Sequence, residues 1–368
     1  MILKKILLVN FRNIKQLSLN FDRPVTILYG ENGQGKTNIV ESIYLLANAN
    51  SFRTNYYKEM IQNEEVESIV QGEVTDEKRE KKYKILLKKN GKTAFINDIM
   101  VTKFSEYIGN FNVVCFSPED VSLFKDSPSI RRSFLDKQLS SLFPVYLKYL
   151  IEFKNILDQR NNLLKNETID ENLLSVIDEK IIELSYELFK RRKWIMEKIE
   201  EFSMAIFKKI TNDNRQIKIV YNTFLNETDQ NAYYQKAKEL YQSSLKKDKE
   251  KQFTTVGIHK DDFKVFFGDL EVDMYASQGQ QRLISLSMKL AVIEIISKAN
   301  KQEPIIILDD AFSELDEIKK TKLLEYVLSK KQVFITCTDY KNIIKNKNYN
   351  KIALLHIQNG NVMERSYI

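Results

Sequence analysis

Three short segments carry residues whose types and spacing can do chemistry. The first is Gly30-Glu31-Asn32-Gly33-Gln34-Gly35-Lys36-Thr37, which fits the phosphate-binding pattern G-x-x-x-x-G-K-[ST]. Glycines let such a loop fold tightly enough to aim successive N–H groups at phosphate oxygens. The start of the following helix adds the positive end of its dipole. Lys36 is expected on the β- and γ-phosphates, and Thr37 places a hydroxyl on Mg²⁺. The second segment is Asp309-Asp310, at the end of the apolar run Pro304-Ile305-Ile306-Ile307-Leu308. A carboxylate at the C-terminal end of a buried parallel strand lies beside a phosphate loop. Asp309 there can hold Mg²⁺, and Asp310 can orient or deprotonate the attacking water. The third is Ser277-Gln278-Gly279-Gln280-Gln281-Arg282, which opens a helix. A serine and a glycine at a helix start make a second anion site, yet one nucleotide needs only one phosphate loop. The pattern therefore implies a composite site, in which this helix caps ATP held by another subunit.

The elements needed to position these residues are legible around them. Val25-Thr26-Ile27-Leu28-Tyr29 leads into the loop as a strand, and Asn38 through Leu46 leaves it with helical spacing. The run ending at Leu308 is short and apolar throughout, as a strand buried on both faces of a parallel sheet should be. Residues 1–116 alternate like strands around one helix and form the first half of an ATPase lobe. Residues 117–254 turn helical. Within them, Leu173, Ile177, Ile181, Leu184, Leu188, Ile195, Ile199, Phe202 and Ile206 keep spacings of three and four. Over residues 170–210 that pattern predicts about 60 Å of helix. From residue 255 to 368 the strand pattern returns, so the helical lobe is expected to be an insertion between the two halves of the nucleotide site.

The order of GENGQGKT, SQGQQR, ILDDAFSELD and the strand Gln332 through Asp339 resembles the RecF family of bacterial recombination mediators. Asn10-Phe11-Arg12-Asn13, Ser51-Phe52-Arg53-Thr54, Ser117-Pro118-Glu119-Asp120, Arg131 through Asp136 and Gly257 through Phe263 agree with it. The resemblance spans essentially the whole chain. It departs at Ile258 and Lys260, where the family usually shows proline and arginine. It implies an α/β fold: a P-loop ABC-type ATPase head whose lobe I is a mixed sheet around the phosphate-loop helix, with an inserted mainly helical lobe II. SMC-type heads carry a long coiled coil at the same point, and this chain has no room for one. The resemblance further implies nucleotide contacts from Arg12 and Asn13 and a loop role for Ser313 and Asp316 after the acidic strand. It implies ATP and Mg²⁺ as cofactors, a homodimer formed on ATP, and weak, DNA-responsive hydrolysis. The implied partners are single-stranded, gapped or duplex DNA, with RecO and RecR directly and RecA indirectly. Where transporter ATPases carry a histidine after the last sheet strand, this chain reads Thr336-Cys337-Thr338-Asp339. Any γ-phosphate contact from that segment must use a hydroxyl or the backbone.

Composition sets outer limits. The chain has 368 residues, 43% hydrophobic and 29% charged, which describes a globular protein with room for two domains. The apolar start after Lys4-Lys5 is too short for a signal peptide and is expected to be a strand. With no apolar run of about 18 residues, a cytoplasmic protein is expected. Cys115 and Cys337 sit in apolar runs as small hydrophobes. Two cysteines and two histidines (His259, His356) without ligand spacing make no case for zinc.

The formal charge is +7 and unevenly placed: residues 78–92 hold eight basic residues against one acid. Asn90-Gly91 inside this stretch signals a hairpin turn. Lys81, Lys82, Lys88, Lys89 and Lys92 are therefore candidates for DNA phosphates. The same lysines serve equally as an edge that blocks sheet-to-sheet pairing. Lys190-Arg191-Arg192-Lys193 is a weaker candidate, with glutamates at helical spacing nearby, and Arg131 and Arg132 fit a structural role as well. Two function classes stand open: an ATP-switched DNA clamp, or an ABC-head ATPase acting on something other than DNA.

Overall fold

The computed structural model describes residues 1–76, 79–313, 315–344 and 351–368. In chain order, β1 (Ile2–Phe11), β2 (Ile14–Asn20) and β3 (Val25–Tyr29) lead to α1 (Lys36–Asn48). Then come β4 (Glu67–Thr75), β5 (Glu80–Lys88), β6 (Gly91–Ile96), β7 (Ile99–Val101), α2 (Phe104–Tyr107) and β8 (Val113–Phe116). The middle of the chain holds α3 (Ser122–Lys125), α4 (Pro128–Leu142), α5 (Pro144–Leu163), α6 (Glu171–Thr211), β9 (Ile217–Asn222) and α7 (Gln230–Lys251). It continues through β10 (Asp262–Phe267), β11 (Leu270–Glu271) and α8 (Val272–Tyr275). The last part holds α9 (Gln278–Asn300), β12 (Ile305–Asp309), α10 (Glu317–Leu328), β13 (Val333–Cys337), β14 (Ile352–Gln358) and β15 (Asn361–Tyr367). Two compact units result: residues 1–121, 202–214 and 278–368 form the first, and 122–201 with 215–277 the second.

In the first unit one sheet runs β15-β14-β3-β13-β12-β8, with β14, β3, β13, β12 and β8 all parallel. Its central strands are buried along their length, as their unbroken apolar runs require. Register sets Leu308 beside Ile335, and Ile335 beside Ile27. The C-terminal ends of β3, β12 and β13 therefore finish side by side. A second, antiparallel sheet runs β2-β1-β4-β5-β6-β7. The apolar face of α1 (Ile39, Ile43, Leu46) shares one core with Leu3, Leu8, Val70 and Ile85 of that sheet and with Leu28, Phe334 and Leu355 of the other. That sandwich packs the phosphate-loop helix between the two sheets. Gly72 permits it: a Cβ there would lie 2.6 Å from a Leu46 methyl and 2.9 Å from a Leu3 methyl.

One local expectation shifts. The basic hairpin pairs Lys88 with Gly91, so Lys89 and Asn90 form the turn and Gly91 begins β6. The turn with two left-handed residues is the next one, Asn97 (φ 51°) and Asp98 (φ 63°), which joins Ile96 to Ile99. Of the expected basic stretch, Lys78 lies outside the described residues.

The second unit packs helices against a three-stranded antiparallel sheet, β11-β10-β9. The ATPase lobe was expected to resume at residue 255, but residues 255–277 group with the helices because, among the described residues, β10 pairs only with β9 and β11. The expected long helix is α6, of 41 residues, with Ile177, Ile181, Leu184, Leu188, Ile195 and Ile199 buried. Two buried guanidiniums tie this unit together. Arg160 of α5 reaches Asp178 of α6 (2.6 Å) and Asp248 of α7 (2.7 Å). Arg192 of α6 reaches Asp136 of α4 (2.9 Å), the Tyr146 hydroxyl (3.1 Å) and the Ile258 carbonyl (2.9 Å). Arg131 pairs with Asp262 and Arg132 donates to the Asp261 carbonyl. Lys190 and Arg191 pair with Glu187. These basic residues serve the fold.

Candidate nucleotide site

The strand ends of the first unit open onto a cavity of about 450 Å³. It is lined by Asn32, Gly33, Gly35, Lys36 and Thr37 of the loop, by Asp309 and Asp310, and by Thr336, Cys337 and Thr338. Two glycines make the loop possible. Gly30 has φ 142°, and a Cβ there would lie 2.4 Å from the Ile357 carbonyl oxygen. Gly35, at φ 105°, precedes the first turn of α1 with no side chain capping it, so the helix start faces outward as an anion site. Gln34 points elsewhere: its side-chain oxygen and its carbonyl accept from the backbone N–H groups of Asn359 and Gly360, both at 2.8 Å. It anchors the loop to the β14–β15 turn.

Lys36 folds back over the loop, donating to the Gly30 and Glu31 carbonyls, both at 2.6 Å. Burial pushes its ammonium below the ordinary lysine range, while Cys337, Asp310 and Asp309 pull the other way. Thr37 donates to Asp309 at 2.8 Å, and Thr336 donates to the same carboxylate oxygen at 2.6 Å. Burial raises the Asp309 carboxyl above its usual range, against those hydroxyls and the Arg53 charge. Asp310 has a left-handed backbone (φ 49°), and its N–H donates to the Thr336 hydroxyl at 3.0 Å. That turn aims the two successive acids differently, Asp309 inward and Asp310 along the cavity wall.

Arg12 lies outside the cavity lining. Its guanidinium is committed to Glu41 of α1 (3.0 and 2.6 Å) and to the Glu59 carbonyl (2.7 Å). Glu41 is fully buried and also accepts from Ser51 and Arg53. Arg12 thus braces the helix that carries the loop. Asn13 acts likewise, accepting from Asn38 at 2.8 Å. Sequence reasoning gave no site role to three lining residues, Asn38, Arg53 and Pro118. Arg53 donates to the Asn38 amide oxygen at 2.9 Å and keeps its charge at the cavity edge. The arginine in Ser51-Phe52-Arg53-Thr54 was the available signal.

Ser277 stands just before α9, and a Cβ at Gly279 would meet open space. Gln278 and Gln280 share that first turn. Arg282, one turn on, donates to the Asp310 carbonyl (2.5 Å) and to the Ser313 hydroxyl (3.2 Å). Asp316 caps α10 by accepting from the Lys319 N–H at 3.0 Å. Glu314 of the same loop lies outside the described residues. In the basic hairpin, Lys88 and Lys89 are exposed and Lys82 pairs with Asp98. Lys92 does not suit DNA: its ammonium bonds Ala49 and Asn50, sits 4.8 Å from the Phe104 ring centre, and is lowered to about 8 by burial.

The geometry can be set beside known proteins. A family model described as "RecF/RecN/SMC N terminal domain" matches residues 2–361. A relative from Clostridioides difficile (strain 630), named DNA replication and repair protein RecF, is 40% identical over 366 residues, 98% of each chain. The chain belongs to the RecF family. A second RecF, from Bacillus cereus (strain AH820), is 36% identical over 370 residues, again 98% of each. A solved structure titled as the recombination mediator protein RecF-ATP in the RecFOR pathway superposes with a TM-score of 0.90 at 33% identity, covering 99% of both chains. An Smc head domain from Pyrococcus furiosus matches at a TM-score of 0.56 and 16% identity, and shares the fold. The chain is therefore an ATP-binding, ABC-type ATPase head of RecF type, with no long coiled coil among the described residues. No helix among those residues is long and apolar enough to cross a membrane.

Proposed function

We propose that this RecF-family chain is an ATP-switched DNA-binding protein of recombinational repair and replication restart. It dimerises on ATP, engages single-stranded, gapped or duplex DNA in the cytoplasm, and helps RecO and RecR load RecA. Slow hydrolysis then resets it. The observation that carries this reading is the convergence of Lys36, Thr37 and Asp309 on one cavity, joined by a hydroxyl-to-carboxylate bond of 2.8 Å. Its RecF relatives, DNA replication and repair proteins, supply the setting in DNA repair.

The roles follow from the bonds each group already makes. Phosphate oxygens of ATP displace the Gly30 and Glu31 carbonyls from the Lys36 ammonium, which gains an anionic partner in place of two neutral ones. Backbone N–H groups from Glu31 through Thr37 cradle the phosphates. Thr37 and Asp309 offer two hard oxygens side by side, a donor set that suits Mg²⁺, which would supply charge neutralisation for the phosphates. Asp310, held in its left-handed turn by Thr336, orients the attacking water. Ser277, Gln278, Gly279 and Gln280 meet the γ-phosphate of ATP bound by the partner, and Ser313 and Asp316 lie along the same dimer seam. ATP then stabilises the dimer by mass action.

Sedimentation with ATP, ADP and no nucleotide, with and without gapped duplex, tests the reading. Wild type should form dimers only with ATP. Ser277→Arg should bind ATP normally yet remain monomeric, because its bulk occupies the place of the γ-phosphate. A Ser277→Arg protein that dimerises on ATP as wild type does would leave the start of α9 a merely capped helix.

A further inference from the structure

A second cavity in the first unit, of about 530 Å³, lies between the end of α6 and one face of α10. Lys208, Lys209, Asn212, Lys322, Glu325 and Tyr326 line it. Its lining carries three lysines against one acid, Glu325. On and around α10, Lys319 pairs with Asp316, Lys320 with Glu317, and Lys330 with Glu294. The three lysines of the cavity have no carboxylate partner among the described residues. Lys322 donates to the Asn212 amide oxygen at 2.6 Å, and Lys209 stands 5.8 Å from the Tyr326 ring centre. Lys208 is exposed at the last turn of α6.

Three ammoniums gathered in a concave site, each with neutral partners or none, are arranged for an anion with several charges. Burial of the Tyr326 ring and its bond from hydroxyl to Glu294 hold the α10 face in place. Asn212, in a left-handed turn (φ 60°) at the end of α6, holds Lys322 toward the cavity. Lysine is a point charge on a long stem, suited to phosphate oxygens without base recognition. The basic hairpin, by contrast, has lost Lys92 to the fold. We infer that the Lys208–Lys209–Lys322 cavity is a docking site for the phosphodiester backbone of duplex DNA, on the ATPase unit and separate from the nucleotide cavity. The inference rests on the DNA-binding reading above and gives it a surface. Since α10 begins at Asp316, directly after the Ser313 loop, DNA held here would bear on the helix next to that loop.

The test is fluorescence anisotropy with a 30-base-pair duplex across a salt series, using wild type and Lys208→Ala/Lys209→Ala/Lys322→Ala. Each lost phosphate contact lowers the slope of log affinity against log salt by about 0.9, so the triple variant should lose roughly 2 to 3 units of slope. Its affinity at low salt should fall about tenfold or more, while ATP affinity stays unchanged. Lys88→Ala/Lys89→Ala serves as the control surface and should change the slope by less. If wild type binds duplex and the triple variant keeps its slope, the cavity is not the DNA site although the DNA-binding reading stands. If wild type binds no DNA at any salt, both fall. Unchanged DNA binding with lost affinity for a poly-glutamate peptide would assign the cavity to an acidic protein segment and overturn the proposal.

Discussion

The second unit and the nucleotide cavity of the first hold buried charge in opposite ways. In the second, each buried guanidinium meets acids: Arg160 lies between Asp178 and Asp248, and Arg192 bonds Asp136. Burial works against the Arg160 charge, but the bonds and charges of its two carboxylates outweigh it and hold it ionised. In the first unit, Lys36 and Asp309 are 8% and 5% exposed, yet they meet neutral groups: two carbonyls for the lysine, two hydroxyls for the aspartate. Neutral partners satisfy hydrogen bonds without cancelling charge. Paired charges fix the shape of the helical unit, whereas unpaired ones leave the nucleotide cavity needing a ligand of complementary charge. The contrast separates charge that serves structure from charge that serves function, and single substitutions can probe it.

Arg160→Met should have the largest effect. It strands Asp248, itself fully buried, without a countercharge, a situation that costs about 3–5 kcal/mol. Urea unfolding followed by far-UV circular dichroism should register this loss. The folded fraction, examined at low temperature, should still bind ATP with wild-type affinity. A loss below about 1 kcal/mol would mean that the pair only compensates its own burial and fixes nothing.

Lys36→Met is the opposite case. The folded state loses a buried cation that had no carboxylate partner among the described residues, so unfolding should change little. Turnover should fall by about 10²–10³-fold, the scale of removing one preorganised charge from a reacting centre. Steady-state hydrolysis beside a urea titration reads both at once. A variant as active as wild type would break the assignment of the loop. A variant that barely folds would break the comparison, because Lys36 would then act as Arg160 does.

The same contrast explains what could be read from the sequence. Gly30 through Thr37, Asp309 and the apolar strands around them are local patterns, each a few residues long, with geometry set by their own backbone. The 41-residue α6 was legible for the same reason, since its stripe repeats within itself. Arg12 was expected at the nucleotide, and its bond to Glu41 on α1 was not legible because an arginine's reach is decided by the partner it finds. Arg53 was passed over for the converse reason: it enters the cavity only because Ser51 turns the chain back onto Glu41. The return of the ATPase lobe was set at residue 255, yet strand periodicity does not reveal which sheet a strand joins. β10 found β9, and that pairing keeps residues 255–277 with the helices.

His259 offers the finest test, because it is a half-buried titratable group of the second unit with no acid in hydrogen-bond reach among the described residues. Its Nε2 bonds the Thr254 carbonyl at 3.1 Å, which makes it the donor, and Nδ1 is buried without a partner among the described residues. Burial lowers its pKa to about 4, and Lys260, Arg132 and Arg160 push the same way against the Thr254 bond. The folded value lies below the unfolded one of about 6.5, so the unfolded chain takes up the proton first. Stability from this residue is complete above pH 6.5 and is lost as pH falls toward 4. Between pH 7.5 and 4.5 the loss should be about 2–3 kcal/mol. His259→Gln removes the titration, so its unfolding free energy should fall by that much less over the same interval, with other groups cancelling in the difference. Parallel pH profiles for the two proteins would show that His259 gains a countercharge when protonated. It would then belong with Arg160 among the paired charges of this unit, and the rule that its buried charges need acids would stand without exception.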